Sequence, residues 1–93
     1  MALNNSNIQA TTRTSDGSIY ASRARVKGIH CTTTTAGSIV LKDGGSGGAT
    51  LLTVAVGANY SGNIIIPQDG ILFETSVYLD LTGADSVTVF YQA

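Results

Sequence analysis

Between residues 71 and 91 apolar and polar positions alternate. Ile71, Phe73, Val77, Leu79 and Leu81 are interleaved with Glu74, Ser76, Tyr78 and Asp80, and after Thr82-Gly83-Ala84-Asp85 the pattern resumes at Val87, Val89 and Tyr91. A period of two marks a strand with one face buried, so the segment predicts two strands joined by a short turn, with the apolar face on the odd-numbered residues.

The same logic extends upstream. Strands are expected at about 22–34, 37–43, 49–56, 62–66, 71–81 and 85–92, separated by Thr35-Ala36-Gly37, 43–48, 57–62, Gln68-Asp69-Gly70 and 82–85, all rich in turn-forming residues. No stretch of ten or more residues shows a helical period. The expected fold is all-β, a small β-sandwich or jelly-roll-like module of six to seven strands over 22–93. Residues 1–21 are polar, and are expected to form an extended N-terminal arm containing at most an edge strand.

Three local features refine this picture. Leu51, Leu52, Val54 and Val56 around Ala55, and the run Ile64-Ile65-Ile66, lack alternation. They suggest strands covered on both faces, either as central strands, the favoured reading, or against a partner subunit. Pro67 has no N–H for a ladder and should end its strand. In the first long strand the apolar phase shifts from Ala24 and Val26 to Ile29 and Cys31, which a β-bulge at Gly28 explains.

Size bears on assembly. A 9.5 kDa chain should expose about 5,000 Å² when folded and bury somewhat over 60% of its extended surface, near the lower limit for a domain standing alone. With Cys31 as its one cysteine it has no internal disulfide to compensate, so a homo-oligomer or docking on another protein is expected. No apolar run is long enough for a membrane helix, and 1–10 lack the basic and apolar regions of a secretory signal, so synthesis in a cytoplasm is expected.

Chemistry is sparse. His30 and Cys31 are adjacent and should point to opposite faces of a strand, which disfavours a thiolate–imidazole pair, and together they are too few ligands for a structural zinc. The Asp43-Gly44-Gly45-Ser46-Gly47-Gly48 loop lacks the Lys-Ser/Thr of a phosphate-binding loop and leads into a strand. No strand–helix scaffold is expected that could hold a Ser-His-Asp triad, and Glu74 and Asp80 are about 20 Å apart along a strand. No enzyme, catalytic residue, metal or cofactor is expected.

Charge is distributed unevenly. Arg13, Arg23, Arg25, Lys27 and Lys42 precede residue 43 with Asp16 as the one acid there, a net +4; Asp43, Asp69, Glu74, Asp80 and Asp85 follow with no base, a net −5. Either strands of the two halves interleave and neutralise one another, or the basic part meets an acidic surface. Arg23, Arg25 and Lys27 alternate and predict one basic stripe. The candidate partner-binding residues are therefore Arg13, Tyr20, Arg23, Arg25, Lys27 and Ile65. A net charge of −1 is a poor footprint for nucleic acid.

The succession Gly37-Ser38-Ile39-Val40-Leu41-Lys42-Asp43-Gly44, then Ile66-Pro67 with Gly70-Ile71-Leu72-Phe73, then Val87-Thr88-Val89-Phe90-Tyr91 resembles small β-sandwich virion proteins of tailed bacteriophages. The resemblance implies a non-enzymatic structural protein of the virion, made in the host bacterial cytoplasm and docked on a major capsid or other virion protein, with capsid decoration or cement foremost. The alternative is a receptor- or carbohydrate-binding module of a phage tail, neck or fibre, in which Tyr20, Tyr60 and Tyr78 would stack on sugars.

Overall fold

A computed structural model describes residues 8–67 and 69–93; the part of the expected arm over 1–7 lies outside them. Seven strands follow one another: β1 (Ile8–Arg13), β2 (Gly17–Tyr20), β3 (Ala24–Asp43), β4 (Ala49–Val56), β5 (Ser61–Ile65), β6 (Ile71–Phe73) and β7 (Val77–Gln92). No helix occurs among the described residues. The chain is all-β, and every strand pair is antiparallel.

Two strands organise the rest. β3 has 20 residues and β7 has 16, which would span about 66 and 53 Å if straight, yet the longest dimension of the molecule is 42 Å. Both must bend, and they bend together. They pair from Arg25 opposite Gln92 to Asp43 opposite Val77, with register shifts between Thr32 and Ser38 on β3. At that corner a Cβ on Gly37 would overlap the Thr82 carbonyl, and Gly83 takes φ +78° against the Ala36 carbonyl. Glycine suits both places because a side chain has neither the room at Gly37 nor the favoured backbone at Gly83.

The corner folds one sheet into two layers. Layer I contains β1, the second half of β7, the first half of β3, and β5 with β6; layer II contains β2, the first half of β7, the second half of β3, and β4. Val26, Ile29, Cys31, Val87 and Val89 from the first layer share one core with Ile39, Leu41, Val77 and Leu79 from the second, together with Phe73 and Ile19. The exposed area, 4778 Å², is close to that expected for a compact monomer of this mass.

Several expectations change. Residues 8–20, expected in the arm, are two strands hydrogen-bonded to β7, and Ile19 is 5% exposed in the core. On β1 the core-side positions are Gln9, Thr11 and Arg13, opposite Tyr91, Val89 and Val87, so this edge strand lacks an apolar period and resembles an unpacked arm when read alone. The segments 35–37 and 82–85 are corners within continuous strands, whereas the expected strand 71–81 is interrupted at 74–76. Among the described residues β4 and β5 each pair with β3 alone, so they are edge strands and not central ones. Their burial alternates, with Leu52, Val54 and Ile64 half-buried and Ile65 pointing out. The expected bulge is present, with Lys27 the extra residue between Val26 and Gly28, and β5 ends at Ile65, two residues before Pro67.

Candidate functional site

The outer face of layer I is assembled from rows of residues directly opposite one another. One row runs Ile8, Gln92, Arg25, Leu72; the next runs Ala10, Phe90, Gly28, Ile65; the third runs Thr12, Thr88, His30, Asn63. Since Val89 and Tyr91 point into the core, Phe90 points outward, as strand alternation requires.

The second row is the unusual one. Ile65 is 83% exposed and Ile8, at the edge of the neighbouring row, 49%, while Phe90 and Leu72 are half-buried and Ala10 exposed. Between Phe90 and Ile65 stands Gly28, with no side chain. The gap is a depression of about 280 Å³ lined by Lys27, Gly28, Ile29, Ile64, Ile65 and Phe90, with Asn63 at its rim. That is at the small end of the about 300–1,000 Å³ of small-molecule sites, and has room for one or two side chains of another protein. A Cβ at Gly28 would approach the Ile64 carbonyl oxygen at 3.2 Å, so even alanine crowds this position.

Cations border the apolar patch. Lys27 lies at the bulge beside the depression, and a second groove of about 240 Å³ is lined by Arg23, Ala24, Arg25, Leu72 and Gln92, with Ala93. Lys42–Asp80, at 3.4 Å, is the single salt bridge among the described residues, so Arg23, Arg25 and Lys27 have no carboxylate within ion-pair reach. Asp69 is on the adjoining β5–β6 connection, but does not pair with Lys27.

The other candidates are used differently. Arg13 donates to the backbone carbonyls of Ser15, Asp16 and Ser18 at 3.2, 3.2 and 3.5 Å, holding the β1–β2 turn. Tyr20 packs on Tyr91, with ring centroids 5.1 Å apart, and the Tyr91 hydroxyl is hydrogen-bonded with that of Thr11 at 3.1 Å. Tyr78 lies on the outer face of layer II and Tyr60 on the β4–β5 connection, so the three tyrosines do not form a common stacking platform. The structure thus brings Arg23, Arg25, Lys27 and Ile65 to one face and leaves Arg13 and Tyr20 within the fold. Phe90, Leu72 and the gap at Gly28 join the site through cross-strand register, which no local signal discloses.

The outer face of layer II contrasts with this. Lys42 is neutralised by Asp80, and the Asp16 carboxylate accepts the Leu81 N–H at 2.9 Å. The uneven charge is thus neutralised in part between strands of layer II, while Arg23, Arg25 and Lys27 form no ion pair among the described residues. His30 takes part in a 2.7 Å hydrogen bond with Asn63 on the outside, while Cys31 is fully buried on the opposite face and burial raises its pKa. Adjacency on a strand predicts that divergence. No group of three or more potential metal ligands occurs among the described residues.

No protein-family model, curated protein or solved structure matches this chain, so its function is read from the face just described.

Proposed function

We propose that the protein is a non-enzymatic assembly module that docks through the outer face of layer I onto an acidic protein surface bearing an exposed apolar side chain. The carrying observation is the pairing of an apolar depression at Gly28, flanked by the exposed Ile65, with Arg23, Arg25 and Lys27 free of ion pairs at its border. An unpartnered cation costs little in water but gains when a carboxylate arrives and fixes docking register. The apolar patch supplies area that contributes only when water leaves it.

Attachment to a phage virion, as capsid decoration or cement, is the specific form of this proposal, and it rests on the sequence resemblance alone. The test is the copy number of the polypeptide on purified particles together with saturable rebinding of the purified chain to particles stripped of it. Hundreds of copies at fixed stoichiometry support a capsid site, and about six to eighteen support a neck or tail site. Absence from particles, or binding on a glycan array in preference to particles, overturns the proposal.

A further inference from the structure

We infer that β4 is a pairing edge for a second copy of this chain, the two β4 strands meeting antiparallel about a two-fold axis so that layer II continues from one molecule into the next. This inference goes beyond the docking proposal and uses a different surface.

Sheet edges expose a row of unpaired backbone groups, and proteins usually blunt them with charge, proline or shortness. The edges of this fold are blunted unequally. β2 has four residues and β6 three, β5 is followed closely by Pro67, and β1 ends in Arg13 and lies alongside β2 at the closed side of the sandwich. β4 has eight residues, none of them charged and none proline. Its one irregularity is at Leu51, left over where Leu41–Leu52 pairing passes to Lys42–Thr50, and Leu52–Val56 beyond it is regular.

A second observation comes from the core. Leu52 and Val54 on β4, and Ile64, Ile66 and Ile71 on or beside β5 and β6, pack on the core but remain only partly covered. They line the side of the sandwich where β4 and β5 are not paired to each other. A strand added to β4 places new side chains beside Leu52 and Val54 and removes apolar surface from water as well as satisfying the edge.

The occupant follows from symmetry. About a two-fold axis every residue meets its own mirror position, so a charged strand would repel itself. Over Leu52–Val56 the register centred on Val54 places Val54 opposite Val54, Leu52 opposite Val56, and Thr53 opposite Ala55. All of these are neutral, and the apolar inner face stays continuous across the axis. The result is a dimer presenting two layer I faces, which would raise avidity for any lattice that offers paired sites.

Sedimentation of the full chain from about 1 μM to 1 mM should show a monomer–dimer equilibrium. The double variant T53K/A55K, both positions being exposed, places ammonium groups directly opposite one another twice and should weaken association by about tenfold or more. Mixing it with T53E/A55E should restore a heterodimer. Register is read by oxidation: T53C and A55C chains should cross-link when mixed and not when alone, because only opposite residues approach within about 4.5–5.5 Å, against about 7–8 Å on the diagonal. Circular dichroism confirms that each variant is folded. A monomer at every concentration, a dimer indifferent to T53K/A55K, or cross-linking of either cysteine variant with itself alone would overturn the inference. A monomer that still binds particles would overturn self-pairing and leave the docking proposal standing, and a dimer that does not bind them would do the reverse.

Discussion

Asp43 and Thr75 are 32 residues apart in the chain and meet at 2.9 Å, the Thr75 N–H donating to the Asp43 carboxylate. The same carboxylate accepts the N–H groups of Ser76 and Glu74 at 3.2 and 3.1 Å. It thereby satisfies three successive backbone donors in the β6–β7 connection and holds that connection against the end of β3.

These bonds, Thr75 foremost, hold the Asp43 carboxyl below its ordinary value of 3.8 against a smaller opposing effect of lost hydration. Folding therefore favours the ionised form. Its stabilisation is complete above that ordinary value and is lost as pH falls through the lower folded value. Urea midpoints measured from neutral pH into acid should fall for the native chain, while Asp43→Ala should be less stable at neutral pH and show a shallower acid decline. Parallel curves would assign the acid sensitivity to other carboxylates.

Thr33 is 2% exposed at the corner of β3. Its hydroxyl donates to the Gly57 carbonyl at 2.7 Å and accepts the Tyr60 N–H at 3.1 Å. Thr33→Val keeps the shape and removes both bonds, so it should cost about 1–2 kcal/mol and lower the melting temperature by about 5–15 °C. Calorimetry measures this directly; a shift under about 2 °C would mean that water replaces both partners.

Replacing Arg23, Arg25 and Lys27 together by Ser should leave the melting temperature within a few degrees and weaken particle binding more at low salt than at high salt. Ile65→Asp should also remain folded, because that side chain already meets water, yet lose binding by placing a carboxylate beside the depression. Ile29→Asp, at 1% exposure, should unfold the domain. Unfolding of the Ile65 variant would show that this side chain supports the core after all.

Deleting residues 2–18 removes β1 and part of β2, so that β7 keeps β3 but loses its second neighbour from Val87 to Gln92 and at Leu79 and Tyr78. The truncated chain should be unfolded or aggregated by circular dichroism and light scattering. A folded monomer after this deletion would show that residues 8–18 are dispensable to the sheet and would return them to the role of an arm.

Cys31 is fully buried and its thiol pKa is raised by that burial. A thiol reagent should leave the native chain unmodified and label one cysteine per chain in denaturant. Rapid labelling of the native protein would mean that layer I opens in solution.

Alternation along the chain was sufficient to determine the all-β class, the apolar face of β7, the bulge near Gly28 and the opposed directions of His30 and Cys31. These depend on backbone period and neighbouring residues, which a sequence carries directly. Tertiary structure decided the remainder. A turn-like glycine segment reverses a lone strand but only bends one that stays paired on both sides, so whether 35–37 and 82–85 were hairpins or corners depended on β3 and β7 pairing with each other. Edge or centre for β4 and β5 likewise depended on which strands were left without a second partner. The candidate docking face required both results, because Phe90, Gly28 and Ile65 become neighbours only when three strands from distant parts of the chain lie in one register.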